Sequence, residues 1–402
     1  MKVPFSPPDI GELEVQYVSE VLRSGWITTG PKTKLLEQKL AAFCGRQRTA
    51  CLNSATAAME LSLRVLGVGP GDEVITSAYT YTASASVIDH VGATIVLVDC
   101  LPDSCLMDMA AVERAITART KAVIPVDLAG IPADYAALHA ALERKKDLFC
   151  PASELQCQLG RVAIVADSAH SLGATRGEAP ADLAADFACF SFHAVKNFTT
   201  AEGGCVCFDG IGSVSADEIY NQFMLLSLHG QNKDALAKTK LGAWEYDIVA
   251  PYFKCNMTDI MAAIGLAQLE RYPGMLRRRE QLCALYDEKL SGNSRFSLLR
   301  HRGENWESCR HMYFVRVLGA GEAQRNRIIE RMAEMGVSAN VHYKPLPMLS
   351  AYRNLGFRME DYPNAFALYQ NEITLPLFST MTDQQCAYVA ECLLSAVQEV
   401  LG

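Results

Sequence analysis

The sequence predicts an α/β protein: a large domain with a mostly parallel sheet flanked by helices, then a smaller C-terminal α+β domain. Three observations carry this. Short apolar runs of strand length alternate with helical patterns between residues 49 and 208. Polar residues gather just beyond the ends of those runs, where open α/β sheets hold their ligands. From about residue 295 the rhythm changes to short half-buried strands and separate helices. The expected divisions are 1–30, an N-terminal segment packing at the domain seam, 31–290, the large domain, and 291–402, the small one.

Composition sets the outer bounds. The chain has 402 residues, half of them hydrophobic, enough for two cores. A net charge of −8 gives no reason to expect nucleic acid or an anionic membrane as partner. Met1–Asp9 holds Pro4, Pro7 and Pro8 where a signal peptide needs an apolar run, and no apolar stretch is long enough to span a bilayer. The 14 cysteines are scattered, and Cys205-x-Cys207 has no second pair at zinc-site spacing. They read as reduced residues of a cytoplasmic protein with no metal site.

Taken in order, residues 9–24 form a helix with Leu13, Tyr17, Val18, Val21 and Leu22 on one face, stopped by Gly25. The segment from Trp26 through Thr28 and Thr29 to Gly30 follows; Trp26 either plugs a domain seam or touches substrate. A helix over 34–43 precedes a strand at Thr49–Leu52. Asn53-Ser54-Ala55-Thr56 opens the next helix; polar residues there are caps, and the same free N–H groups form an anion site. Turn residues Gly67–Asp72 lead to a strand at Glu73–Ser77 and to Tyr81, which either packs on the core or lies flat on a ligand ring. Strands at 95–98 and 122–126 alternate with helices around 112–116 and 135–142. Residues 144–161 break the rhythm and read as a surface insertion. A buried strand over 162–166 ends at Asp167-Ser168-Ala169-His170. The strand Phe187–Phe192 runs into Lys196, and Cys205–Phe208 completes the core. A helix over 216–228 precedes the polar, mobile stretch 231–245. Two more helices follow, 260–269 and a basic one over 273–290, where Arg277-Arg278-Arg279 reads as a solvated face. The small domain contributes a strand at 312–317, helices at 323–335 and 383–397, and the loop Val341-His342-Tyr343-Lys344-Pro345.

The stretch Phe190–Gly204, FSFHAVKNFTTAEGG, is the centre of the chain. A lysine just past an apolar strand is partly desolvated, which lowers its pKa and suits it to capture a carbonyl compound. Alone it is better read as a solvated surface lysine closing a strand, but its company is specific. Ser54–Thr56, Tyr81, Asp167 and Lys196 all lie at or beyond strand ends of one domain. Pyridoxal phosphate needs such a set: a helix N-terminus for phosphate, an aromatic face for the ring, a carboxylate for the pyridine nitrogen, and a lysine for the aldehyde.

The chain also resembles the DegT/DnrJ/StrS sugar aminotransferases, of the aspartate aminotransferase fold (fold type I). The resemblance runs through GWITTGP, NSATAAMELSL, GVGPGDEVITSAYTYTASA, DSAHSLGA, SFHAVKNFTTAEGG, FKCNMTDIMAAIGLAQL and VHYKPLP, in that order. It implies Lys196 as the cofactor's lysine and proton shuttle, Asp167 as partner of the pyridine nitrogen, and His170 near the ring hydroxyl. It implies Tyr81 as the stacking aromatic, and Ala55, Thr56 and Ser191 as phosphate ligands, with Ser54 beside them. Asn256 matches the asparagine that reaches the neighbouring subunit's phosphate, which implies a homodimer with shared active sites. Trp26, Thr28, Thr29, His342 and Tyr343 are the candidate substrate contacts. Three departures stand out: DSAH replaces the commoner DAAH or DACH, Gln231–Asp234 follows His229-Gly230, and Pro345-Leu346-Pro347 lacks the late histidine.

The resemblance implies transfer of an amino group from an amino acid, usually L-glutamate, to a nucleotide-linked keto-sugar. The motifs look most like members that aminate C4 of a UDP-linked 4-keto-6-deoxy-hexose or 4-keto-pentose for surface polysaccharide, lipopolysaccharide or glycan synthesis. Lys196, where sugar dehydratases of the family carry histidine, implies a true aminotransferase. The alternatives are a C3-keto sugar, a cyclitol or small keto acid as acceptor, or a non-catalytic pyridoxal-phosphate-binding regulator; no appended DNA-binding pattern supports the last.

Overall fold

The computed structural model describes residues 1–232 and 245–402. Its helices are α1 (Glu12–Ser24), α2 (Pro31–Phe43), α3 (Ala55–Val65), α4 (Ala83–His90), α5 (Met109–Ala115), α6 (Tyr135–Arg144), α7 (Glu154–Leu159), α8 (Ala216–Ser227), α9 (Asp259–Leu290), α10 (Glu322–Glu334), α11 (Ser350–Asn354), α12 (Pro363–Tyr369) and α13 (Asp383–Leu401). The large sheet holds β1 (Arg48–Leu52), β2 (Glu73–Ser77), β3 (Thr94–Val98), β4 (Thr120–Ile124), β5 (Ala163–Asp167), β8 (Phe187–Ser191) and β9 (Gly204–Phe208). β6 (Thr175–Arg176), β7 (Ala179–Pro180) and β11 (Trp306–Glu307) make a small ribbon, and β10 (Phe296–Leu298), β12 (Tyr313–Val317) and β13 (Glu372–Leu375) an antiparallel sheet.

The seven strands of the large sheet lie in the order β1-β9-β8-β5-β4-β2-β3. All share one direction except β9, which is antiparallel to both neighbours. The expected mostly parallel sheet is therefore present. Its strands are buried on both faces and read as continuous apolar runs, as crossover helices demand. The carboxyl ends of β1, β2, β4, β5 and β8 open on one edge, and the antiparallel β9 begins there at Gly204. That glycine is required by proximity, because a Cβ would sit 2.4 Å from the Ala55 nitrogen.

The small-domain core joins β12 and β13 to α10 and α13 through Ile328, Val389 and Leu393, all fully buried. Val3, at the start of the chain, belongs to the same core and bridges Val337. Asp9 ties the N-terminal strap to Arg271 and Ser379, at 2.5 and 2.6 Å.

Three expectations change. The two helices at 260–269 and 273–290 are one helix of 32 residues with Pro273 inside it. Proline removes one backbone hydrogen bond, but Ala262, Leu266 and Met275 bury one end of the helix in the large-domain core and Leu282, Tyr286 and Leu290 bury the other. Packing at both ends overrides the local break.

Arg279 is not solvated. It is 3% exposed and donates through Nη1 to the carbonyls of Arg310, His311 and Leu377 at 3.1–3.3 Å. A charge count cannot show this, because burial depends on which turn of the helix meets the small domain. Replacing Arg279 with Met leaves these carbonyls without that donor, and the expected cost is about 3 kcal/mol. An unchanged urea midpoint for that variant would contradict the account.

Residues 144–161 are more than a surface insertion. Leu155 packs in the large-domain core, and the buried Gln156 donates through Nε2 to the Leu66 carbonyl at 2.8 Å. Ser153 donates to the same carbonyl at 2.8 Å. Leu66 caps the C-terminus of α3, so the insertion satisfies a carbonyl the helix leaves without a partner. Most of the polar stretch 231–245 lies outside the described residues. All 14 cysteines are free, and only Cys150 and Cys157 are exposed, with Cys255 half-buried.

Candidate active site

The carboxyl edge of the large sheet encloses a cavity of about 370 Å³. Its walls bring together Ser54, Ala55, Thr56, Tyr81, Asp167, His170, Ser191, Lys196 and Tyr343. They come from the carboxyl ends of four strands, β1, β2, β5 and β8, and from the loop that holds Tyr343, so residues more than a hundred positions apart meet on one volume.

Ser54 caps α3, its Oγ accepting from the Ala57 N–H at 3.1 Å. The Ala55 and Thr56 N–H groups make no hydrogen bond among the described residues, which leaves two donors and the helix dipole aimed outward. Ser191 closes β8 beside them.

Asp167 ends β5 and is 5% exposed. One carboxylate oxygen accepts from Ser84 Oγ at 2.6 Å and the other from the Ala169 N–H at 3.2 Å. Burial raises its pKa, against these hydrogen bonds and the charge of Lys196. A carboxylate accepts at up to about four positions, so it retains capacity for a further cationic donor. Ser84 is a residue that sequence reasoning missed. Its signal was a hydroxyl inside the first turn of an apolar helix.

The turn after Asp167 rests on a second buried carboxylate. Asp127 accepts from Ser168 and Ser171 hydroxyls at 2.9 Å each, from the Ala133 N–H at 2.8 Å, and from Tyr135. This gives the DSAH departure a structural role, since Ser168 supplies one of the bonds. Burial still pushes the Asp127 carboxyl up to about 6.

Lys196 follows β8 through a turn closed by its own N–H on the His193 carbonyl, at 2.9 Å. Burial pulls its pKa down to about 8, partly offset by Asp167. Neutral amine is therefore abundant at mildly alkaline pH, where an ordinary lysine is almost wholly charged. We expect the rate at which apo-protein takes up pyridoxal phosphate to climb with pH and level off above about 8. A rise continuing towards pH 10.5, read by stopped-flow absorbance, would show an unperturbed lysine.

Histidines line the opposite side. His170 Nδ1 accepts from the Ala129 N–H at 3.3 Å, which assigns its proton to Nε2, 3.3 Å from the Tyr343 hydroxyl. Its ring lies 4.5 Å from that of His311. Burial, with Lys196 adding to it, holds both histidines neutral. His311 was absent from the sequence candidates; it stands immediately before the strand expected at 312–317, with no motif around it. Asn197 donates to the Cys309 carbonyl at 3.0 Å, so its amide oxygen meets His311 Nδ1 at 2.8 Å.

Tyr81 is 59% exposed, with its ring 5.7 Å from that of Tyr343. His342 lies outside the main cavity but lines a small adjoining one of about 50 Å³ with Lys196, His311 and Tyr343. Asn256 is not among the lining residues. It donates to Thr29 Oγ1 at 2.5 Å, and Thr29 in turn donates to the Met257 carbonyl at 2.5 Å. Thr28 accepts from the Asp259 N–H at 3.1 Å, and Trp26 donates through Nε1 to the Thr29 carbonyl at 3.2 Å. The structure thus gathers Trp26, Thr28, Thr29 and Asn256 in a second group that does not line this cavity, though Asn256 bridges Leu52 beside it.

The sequence profile of the DegT/DnrJ/EryC1/StrS aminotransferase family matches residues 8–394. The chain belongs to that family. It is 34% identical to the spore coat polysaccharide biosynthesis protein SpsC of Bacillus subtilis, over 98% of this chain and 97% of that protein. A putative sugar aminotransferase, Spr1654 from Streptococcus pneumoniae, solved in its PMP form, superposes with a TM-score of 0.97 at 55% identity over the whole of both chains. Helicobacter pylori PseC, an aminotransferase in pseudaminic acid biosynthesis, superposes at 0.85 with 25% identity over 99% of this chain and all of that one.

The protein is therefore a sugar-aminotransferase family member whose cofactor is pyridoxal 5′-phosphate. The residues present fit that group: two free N–H donors at a helix start, a buried carboxylate with spare acceptor capacity, and a desolvated lysine. Among the described residues no helix is long and apolar enough to cross a membrane.

Proposed function

We propose that the protein moves an amino group from an amino acid, L-glutamate, to C4 of a UDP-linked 4-keto-6-deoxy-hexose or 4-keto-pentose, in the cytoplasm, supplying surface polysaccharide or glycan synthesis. The carrying observation is that Lys196 and Asp167 share one cavity, with the lysine depressed to about 8. Bound pyridoxal phosphate supplies an electron sink for the carbon that loses and regains a proton. Lys196 Nζ carries that proton, and its lowered pKa lets it give and take near neutrality. Asp167 holds a negative charge where the pyridine nitrogen must stay protonated. Ser54, Ala55, Thr56 and Ser191 hold the phosphate, Tyr81 offers its ring face, and His170 donates from Nε2. The role of SpsC in spore coat polysaccharide synthesis and of PseC in pseudaminic acid synthesis supports a sugar acceptor.

The same reading takes the working unit to be a homodimer with shared sites. Asn256 bridges Leu52, just before the lining Ser54, yet does not itself line its own chain's cavity, which leaves it free to serve a neighbouring site. Pro8, Ile10, Val15, Val18 and Ile264 line an apolar groove beside the Lys196 turn, the kind of surface a second copy covers.

The deciding experiment is the absorption spectrum of the loaded protein before and after L-glutamate. A violet band that bleaches with glutamate identifies the donor. Screening UDP- and dTDP-linked 4-keto sugars for recovery of the band then finds the acceptor. A band that ignores glutamate overturns the donor assignment; recovery only with a 3-keto sugar or a cyclitol overturns the C4 assignment.

A further inference from the structure

Behind His342 lies a buried hydrogen-bonded pair that the reaction itself does not call for. The His342 N–H donates to Glu372 Oε2 at 3.0 Å. His342 Nδ1 lies 2.9 Å from Thr374 Oγ1, and Thr374 Oγ1 lies 2.5 Å from Glu372 Oε1. Glu372 and Thr374 are completely buried and His342 is 8% exposed. The ring is held in place by Phe5, stacked 5.5 Å away, and by Tyr343 edge-on at 4.9 Å. His342 Nε2 makes no hydrogen bond among the described residues, and the ring shares the small cavity with Lys196.

Two proton arrangements satisfy every bond along this chain, one for each charge state of Glu372. When Glu372 is ionised it only accepts, so the single Thr374 proton goes to Oε1. Thr374 Oγ1 must then accept from His342, which carries its proton on Nδ1 and presents a bare Nε2. When Glu372 is protonated, a proton on Oε1 points along the bond to Thr374 and leaves Oε2, the better acceptor, for the His342 backbone N–H. Oε1 then donates to Thr374, Thr374 donates to Nδ1, and the imidazole proton moves to Nε2.

We propose that Glu372 and Thr374 are positioning residues that set the tautomer of His342. Its Nε2 accepts a hydrogen bond beside Lys196 when Glu372 is ionised and donates one when Glu372 is protonated.

Burial raises the Glu372 carboxyl to about 8, so both states lie within the working pH range. Burial, with Lys196 adding to it, lowers His342 to about 3, so the tautomer changes while the ring stays neutral. The groups facing Glu372 are the Arg325 guanidinium, which donates to the Glu372 carbonyl at 3.1 Å, the hydroxyls of Tyr79 and Tyr343, the Cys105 thiol and His342. Arg325 favours ionisation, and burial raises Tyr79, Tyr343 and Cys105, so none of these three charges near pH 8.

The inference deepens the aminotransferase reading, and its test stands apart from it. Apo-protein with ¹⁵N-labelled histidine is titrated from about pH 6.5 to 9.5, and the two ring-nitrogen shifts of His342 are followed. The wild type should cross from Nε2–H at low pH to Nδ1–H at high pH. Glu372→Gln, whose amide donates to Thr374 at every pH, should stay Nε2–H throughout. Thr374→Val should abolish the pH dependence and Thr374→Ser retain it. In the loaded enzyme, Glu372→Gln should lower kcat/KM about tenfold above pH 8, one hydrogen bond's worth, with cofactor affinity within about twofold. A single tautomer across the whole titration in the wild type, or an unchanged crossover in Glu372→Gln or Thr374→Val, overturns the proposal. A wrong sugar assignment would leave these shifts untouched.

Discussion

Lys196→Ala lowers transamination by about 10⁴-fold or more and abolishes the violet band of the loaded protein, while the fold is retained. The magnitude follows from the two tasks lost together, covalent capture of the cofactor and proton transfer at the reacting carbon. The retained fold follows from the site. The Lys196 amine makes no hydrogen bond in the described residues, and burial already disfavours its charged form. Removing it breaks no hydrogen bond, and Asp167, which loses the nearby charge, keeps its bonds from Ser84 and Ala169. The paired measurement is steady-state turnover with circular dichroism of the apo-protein. Turnover within tenfold of wild type would remove Lys196 from the chemistry. Loss of the circular dichroism signal would give it a structural role that this geometry does not contain.

Asp167→Asn separates charge from shape. The amide oxygen can still accept from Ser84 Oγ, which donates to the carboxylate at 2.6 Å, and only the longer bond from the Ala169 N–H at 3.2 Å is lost, so the pocket keeps its form. What disappears is the negative charge that keeps the pyridine nitrogen protonated, and turnover should fall roughly 10²- to 10³-fold, within the range of lost acid–base assistance. Stability should move the other way. Burial raises the Asp167 pKa in the folded apo-protein, so the folded state binds its proton more tightly than the unfolded chain. The stability this gives is complete below the ordinary carboxylate value and is lost as pH rises through the raised one. Above that window the wild type carries a costly buried charge and the asparagine variant does not. The apo Tm of Asp167→Asn should therefore equal or exceed that of the wild type at neutral pH and lose the advantage in acid. A variant that loses both activity and Tm would point to a hydrogen-bonding role in place of an electrostatic one.

The residues that announce themselves in the sequence are those whose chemistry is local. A lysine past the strand Phe187–Ser191, an aspartate closing Ala163–Asp167, and a hydroxyl-rich turn at the start of α3 follow from strand length, turn chemistry and helix capping alone. The strand–helix alternation likewise determined a mostly parallel sheet, because consecutive parallel strands need crossover helices. Those are facts about neighbours in the chain, and periodicity and turn residues report neighbours.

Tertiary structure decided the rest. It buried Arg279 by laying one turn of a continuous 32-residue helix against the small domain, and it carried that helix through Pro273 by packing both ends. It made the 144–161 insertion a cap for α3 by bringing Gln156 to the Leu66 carbonyl across 90 residues of chain. It placed His311 and the Glu372–Thr374–His342 relay beside Lys196, over sequence separations that no pattern spans. Burial and long-range hydrogen bonding depend on which surfaces meet, and only the folded chain specifies that. The sequence therefore determined which groups this protein has for its chemistry, and the fold decided their protonation, orientation and company.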